Sequence, residues 1–294
     1  MFFRREVTMK STAPLILIVA GFGFPQQSPG QTPTHPAPGT FQDLPGLGKV
    51  QAINNTGQIA GQTGGGDEVQ GLLTDLSGNI TVISVPGSEQ TLIYGMDNST
   101  RIVGAYNKRD HGGAHGFLYV QGAFTTLDYP GGTDTRARAI NDPGQIVGDY
   151  NDSTGHRHGF LYAGGSYTPI NVSGAVGTYV YGISSSGNIV GYYTDSQGHQ
   201  HGFLSSAGSI TTVNAPFPGA TDTFLYGINA LGIIVGSYID NRGTHAFVDV
   251  SGIFVNIDAP ETLGGIGTFG RSINDNGFIL IYSAIAHLTG VPGT

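Results

Sequence analysis

The stretch Ala139-Ile140-Asn141-Asp142-Pro143-Gly144-Gln145-Ile146-Val147-Gly148-Asp149-Tyr150 decides how this chain of 294 residues is built. An apolar pair runs into Asn-x-x-Gly, where Asn141 caps the turn and Gly144 supplies a positive φ. Ile-Val-Gly then resumes an extended run. The block returns as Gly182-Ile183-Ser184-Ser185-Ser186-Gly187-Asn188-Ile189-Val190-Gly191 and as Gly227-Ile228-Asn229-Ala230-Leu231-Gly232-Ile233-Ile234-Val235-Gly236. Further copies start at Ala52-Ile53-Asn54, Gly95-Met96-Asp97 and Ser272-Ile273-Asn274. The equivalent turn positions are Gly57, Thr100, Gly144, Gly187, Gly232 and Gly277, at intervals of 43, 44, 43, 45 and 45 residues. Such even spacing marks an internal repeat.

Each copy resolves into four short strands, a to d. In the third, strand a ends at Ile140, strand b covers 146–150, strand c is His158-Gly159-Phe160-Leu161-Tyr162, and Gly164-Gly165 turns into strand d at 167–171. Val, Ile, Tyr, Phe and Thr between Gly, Asn and Asp punctuation is a strand composition. Four strands in a repeat of this length match one propeller blade, and a sheet with two apolar faces must pack against neighbouring copies. The expected fold class is all-β: a β-propeller over residues 41–294, with six four-stranded blades. A five-bladed ring or an open array is the alternative. The sixth copy has strands a and b and takes strand c from Ala286-His287-Leu288. Its strand d is expected from Phe41-Gln42-Asp43-Leu44, which resembles Phe124-Thr125-Thr126-Leu127-Asp128. Pairing the N- and C-terminal strands would close the ring and remove a sheet edge.

The blocks Gly-Ile-Asn-x-x-Gly-x-Ile-Val-Gly and His-Gly-Phe-Leu-Tyr (115–119 and 158–162) resemble the HAF family of bacterial extracellular repeats. His245-Ala246-Phe247 copies the tripeptide that names it, and the resemblance covers about residues 41–285. It implies an exported bacterial repeat protein, and it brings no catalytic residues with it.

At the N-terminus, Arg4, Arg5 and Lys10 precede the apolar run 13–20. That run is too short to span a bilayer, which takes ~20 residues, but it suits the apolar core of a secretory signal. Residues 1–24 are therefore read as a signal peptide, with an uncleaved anchor as the alternative, and 25–39 as a Pro/Gln/Thr-rich linker. The expected location is secreted: extracellular or periplasmic. A net charge of −8 argues against nucleic acid or an anionic membrane as partner. The absence of Cys excludes disulfides and cysteine-based zinc or redox chemistry. Gly at 49 positions opposes long helices.

Residues that recur in every blade are most simply explained by building every blade. The His column (His115, His158, His201, His245, with Gln70 in blade one) is expected to bridge strands or blades through its two ring nitrogens. Asp152, Asp195 and Asp240 are expected to cap turns; calcium is a lesser alternative, since no Asp-x-Asp-x-Asp-Gly loop is present. Function is sought where blades differ. The d–a segments 86–93, 130–137, 174–180, 218–225 and 260–270 vary and share a face with the b–c loops, the usual place for binding on a rigid ring.

In strand a, the residue before the Gly/Ala/Ser-Ile/Met pair reads Gln51, Tyr94, Arg138, Tyr181, Tyr226, Arg271. In a six-bladed ring Arg138 and Arg271 face each other across the channel among Tyr94, Tyr181 and Tyr226. That combination suits acidic sugars or other carboxylates, since guanidinium matches carboxylate geometry. The alternative is that these side chains pack between blades. His156, His158, His199 and His201 form His-x-His pairs in adjacent blades, a conceivable three- or four-His site for zinc or another transition metal. Solvent-exposed loop histidines are the plainer reading, and no other cofactor is indicated. The cluster 107–111 reads as a solvated charged loop, and no phosphate loop, dinucleotide fingerprint or nucleophile elbow occurs.

These residues point to a secreted, non-enzymatic, monomeric β-propeller that binds a glycan or a protein on the face carrying the b–c and d–a loops. The alternatives are a polysaccharide lyase or glycoside hydrolase acting on an acidic polysaccharide, using an Arg against a uronate and a Tyr or His as acid or base, and a structural cell-surface protein.

Overall fold

A computed structural model describes residues 15–20, 40–43, 49–63, 69–75, 79–108, 112–258 and 265–285, and all of its regular structure is β. Among these residues no helix is long and apolar enough to cross a membrane. Strands β1 (Leu15–Ala20) and β2 (Thr40–Asp43) come first. Blade one is β3 (Lys49–Ile53), β4 (Ile59–Gln62), β5 (Gly71–Thr74) and β6 (Ile80–Ile83). Blade two is β7 (Gln90–Met96), β8 (Ile102–Asn107), β9 (Ala114–Val120) and β10 (Ala123–Thr126). Blade three is β11 (Thr133–Ile140), β12 (Ile146–Asn151), β13 (Arg157–Ala163) and β14 (Ser166–Ile170). Blade four is β15 (Gly177–Ile183), β16 (Ile189–Thr194), β17 (Gln200–Ser206) and β18 (Ser209–Val213). Blade five is β19 (Asp222–Ile228), β20 (Ile234–Asp240), β21 (Gly243–Val250) and β22 (Ile253–Asn256).

Each of these blades is an antiparallel meander. The sixth is β23 (Gly265–Ile273), β24 (Ile279–Ile285), β1 and β2. Its only ladder contact with blade five among the described residues is one parallel pair, Thr244 with Gly267, so the continuous eight-stranded sheet divides into two blades.

The N-terminal chain does supply the outer strand of blade six, at Thr40–Asp43. The third strand differs from expectation. Leu15–Ala20 occupies it, pairing Leu15 with Ser283 through Val19 with Ile279, while 286–288 lie outside the described residues. Leu-Ile-Leu-Ile-Val-Ala is as good a buried strand as it is a leader core, because a short apolar run carries no period to separate the two uses. The 25–39 segment is also outside the described residues.

Between each pair of adjacent blades lies an apolar cluster of its own. Phe117, Phe160, Phe203 and Phe247, the Phe of each His-(Gly/Ala)-Phe, are fully buried. The turn residues lock neighbouring blades together. Asn54 Nδ2 donates to the Asp97 carbonyl (3.4 Å), Asn141 Nδ2 to that of Ser184 (2.9 Å) and Asn229 Nδ2 to that of Asn274 (3.3 Å). Asn274 Nδ2 donates to the Asn54 carbonyl (2.8 Å), joining blade six to blade one and closing the ring.

Candidate functional site

Every strand a carries a one-residue β-bulge. The register shifts fall at Val50/Ala52, Ile93/Gly95, Ala137/Ala139, Val180/Gly182, Leu225/Gly227 and Gly270/Ser272. The residues skipped are Gln51, Tyr94, Arg138, Tyr181, Tyr226 and Arg271, so the variable column is the set of bulged residues. A bulge re-aims a side chain, and here all six line the mouth of the central channel. The bulge also explains the Gly of Ile-Val-Gly. A Cβ on Gly61, Gly104, Gly148, Gly191 or Gly236 would collide with a carbonyl oxygen of strand a, at Lys49, Leu92, Arg136, Tyr179 and Phe224 respectively.

The mouth is a cup of about 470 Å³, within the range of small-molecule sites. Its floor is a waist of Ile53, Met96, Ile140, Ile183, Ile228 and Ile273, beyond which lies a separate hollow of about 70 Å³ on the a–b turn face. Arg138 donates from Nε to Asp149 Oδ2 (2.7 Å) and lies between the rings of Tyr94 and Tyr181, its guanidinium carbon 4.5 and 4.7 Å from their centroids. Burial pulls the Arg138 pKa down, but Asp149 more than compensates and the group is firmly cationic. Asp149 also accepts from Arg157 Nη1 (2.8 Å), and Arg157 reaches on to Asp134 (2.5 Å), which fastens the blade-three d–a segment.

Arg271 differs. It stacks on Tyr226 (4.8 Å) and Phe269 (5.6 Å), and among the described residues its guanidinium meets no carboxylate and no hydrogen-bond acceptor. Tyr181 stands edge-on to Tyr226, with centroids 5.1 Å apart, completing an aromatic wall. Burial raises Tyr94 against the pull of Arg138, and pushes Tyr226 up to about 12 against Arg271, so both are neutral phenols at physiological pH.

No family model matches the chain. No curated protein matches it either. Solved structures do. TolB from Acinetobacter baumannii aligns with a TM-score of 0.55 at 14% identity, over 79% of this chain and 53% of that one, so the likeness spans about half of TolB. An arginine-to-alanine triple mutant of AofleA from Arthrobotrys oligospora gives 0.50 at 14% identity, over 82% and 80%. The β-propeller domain of the Trilobed protease from Pyrococcus furiosus gives 0.50 at 9% identity, over 85% and 78%. The fold is a β-propeller. At these identities the likeness reaches no further than fold.

The histidines do not come together as a metal site. His158 holds Asn171 Oδ1 through Nδ1 (2.9 Å) and Asp152 Oδ2 through Nε2 (3.0 Å); His201 holds Asn214 Oδ1 (3.3 Å) and Asp195 Oδ2 (3.0 Å) likewise. His156 Nδ1 contacts Thr154 Oγ1 (2.6 Å) on an exposed loop. Among the described residues no three His, Cys, Asp or Glu gather in a metal-holding group. His158 and His201 therefore clip their b–c loops to the end of their own strand d, His245 repeats the pattern with Asp240 (3.1 Å) and Asp258 (2.6 Å), and His115 holds Asp128 (2.9 Å). The Asp residues cap as expected: Asp152 Oδ1 accepts from the Thr154 and His156 amides, and Asp195 Oδ1 from those of Gln197 and His199. The His201 hydrogen bond, chiefly, holds Asp195 at about 2. Of the charged cluster at 107–111, Arg109, Asp110 and His111 lie outside the described residues.

Burial pulls the His158 imidazole down, but its bonds to Asp152 and Asn171 outweigh that and lift it above 6.5. A raised folded-state pKa means stabilisation present below the unfolded value and lost as pH rises through the folded one. Melting temperature measured from about pH 6 to 8 is expected to fall for the wild type and to fall less for His158→Gln. The difference is expected to be small, because so exposed a pair is screened by solvent. An unchanged slope would rule the clip out as a titrating element.

Three further residues matter to the site and carry no repeat-level signal in the sequence. Asp149 sat in the variable position after Ile-Val-Gly, where nothing signalled a buried carboxylate. Lys49 and Gln62 also line the cup.

Proposed function

We propose that this chain is an exported, non-enzymatic propeller of the HAF type, and that its central cup binds a carboxylate-bearing glycan. The supporting observation is one of charge. The ionised groups lining the cup are Lys49, Arg138 and Arg271, and no Asp or Glu is among its described lining residues. The chain as a whole carries −8. A cationic hollow in an acidic protein selects anions by local field, and the tyrosine wall offers a stacking surface for a sugar ring.

The same lining speaks against catalysis. A glycosidase of the usual kind needs two carboxyl groups at the bond it cleaves. A lyase needs a base whose pKa lies near the working pH, whereas Tyr94 and Tyr226 are shifted the other way. Export is supported by the basic residues before the apolar run at 13–20. That run competes with its use as β1, and the N-terminal sequence of protein recovered outside the cell decides between the two.

The binding reading is tested with the purified chain, polygalacturonate and a neutral glucan in affinity electrophoresis. Polygalacturonate is expected to retard the wild type. Arg271→Gln is expected to weaken that about ten- to hundredfold, the worth of a charge-assisted hydrogen bond. No unsaturated uronate and no new reducing ends should accumulate. Equal retardation by the neutral glucan, undiminished in the variant, would remove the anion reading.

A further inference from the structure

The two sides of the cup are unequal. On the blade-three side the cation is satisfied from within, since Arg138 is paired with Asp149. On the side of blades six and one the polar groups are left open. Arg271 has no acceptor among the described residues. In blade one, Lys49 is the direct ladder partner of Gln62, and directly opposed residues hold their Cβ atoms about 4.5–5.5 Å apart. Gln62 is only 7% exposed, lines the cup, and its Oε1 has no hydrogen-bond partner among the described residues.

The corresponding position in blades three and five is provided for. Asp149 accepts from two arginines, and Ser237 Oγ accepts the Gly270 amide (3.1 Å). Gln51, the bulged residue of blade one, makes no hydrogen bond to Gln62 among the described residues. A buried amide oxygen without a donor costs about 1–3 kcal/mol, so turning the Gln62 amide toward a donor in the cup it lines would relieve that cost. A carboxylate cannot donate. A hydroxyl can, and it can also accept should the amide turn its NH2 inward.

We infer that the cup takes a sugar acid, its carboxylate held between Arg271 and Lys49 and a hydroxyl on a neighbouring carbon held by Gln62. This rests on the anion-binding reading of the cup and narrows it to a ligand that carries both groups on one ring. Gln62 and Lys49 then set specificity, while Tyr226 and Tyr181 supply the face against which the ring lies.

The test uses calorimetric titration of the full chain with glucuronate and with cyclohexanecarboxylate, a six-membered ring carrying the acid but no hydroxyl. The wild type is expected to bind glucuronate more tightly, and Arg271→Gln to weaken both. Gln62→Met, which keeps the length of the side chain, should weaken glucuronate about tenfold, the worth of one buried hydrogen bond, and leave cyclohexanecarboxylate unchanged. If Gln62→Met does not fold, Gln62→Asn withdraws the amide by one methylene and carries the same expectation. Equal binding of the two acids, both untouched by the Gln62 variants but weakened by Arg271→Gln, would overturn the sugar-acid inference and leave the anion cup standing. Failure of the wild type to bind either acid, or indifference of both to Arg271→Gln, would overturn the two together.

Discussion

Asp149→Ala is expected to lower folding stability by about 3–5 kcal/mol, the usual cost of removing one partner from a buried charge pair. The Asp149 side chain is fully buried, and each of its oxygens accepts from an arginine, Arg138 at 2.7 Å and Arg157 at 2.8 Å. Its loss leaves two guanidinium groups, 11% and 13% exposed, with no carboxylate between them. Urea unfolding gives the measurement, read as a shift in midpoint at constant slope. A compensating variant sharpens it. Replacing Asp149, Arg138 and Arg157 together by apolar residues of similar volume should restore much of the loss, because the cost lies in the uncompensated charge. A loss below about 1 kcal/mol for Asp149→Ala would mean that water reaches the pair and screens it.

Phe160→Ala is expected to cost a similar amount, about 3–5 kcal/mol, by opening a cavity in a close-packed interior. Phe160 is fully buried. Its ring tip lies where a Cβ on Gly148 would stand, only 2.8 Å from that ideal position, so the ring fills the space the glycine vacates. Phe117 over Gly104, Phe203 over Gly191 and Phe247 over Gly236 repeat the arrangement. Because the contact recurs in four blades, Phe117→Ala should fall in the same range. A value near 1 kcal/mol at both positions would show that the blades collapse onto the gap.

That pairing shows what the sequence could and could not disclose. Ile-Val-Gly and His-Gly-Phe were both legible as repeated blocks, and their spacing was enough to read strands, blades and ring closure. The reason they belong together was not legible, because the bulge on strand a lies in the register between two strands. Blade six makes the point. There the strand-b position is Ile281, and the small residue has moved to its partner, Gly270. The exchange keeps one small residue at that crossing, yet along the chain it reads as a missing glycine.

The variable column was visible as residues, but whether its side chains entered the channel or packed between blades depended on the same bulge. The histidine partners were present at a constant offset: Asp128, Asn171, Asn214 and Asp258 each follow their His by thirteen residues. The His-x-His pairs drew attention to metal, and the longer interval was the informative one. Leu15–Ala20 pairs with Ile279–Ser283, a use that composition cannot foretell because leader cores and short strands are built from the same apolar residues.

The waist of five isoleucines and Met96, shared by the cup and the smaller hollow behind it, makes the cup a socket entered from one side. A polymer cannot thread through it as through an axle hole. Whatever enters must leave by the same side, so a long chain presents either its end unit or a branch, and each molecule holds one such unit at a time. Retention on a multivalent surface would then depend on how many copies are displayed together.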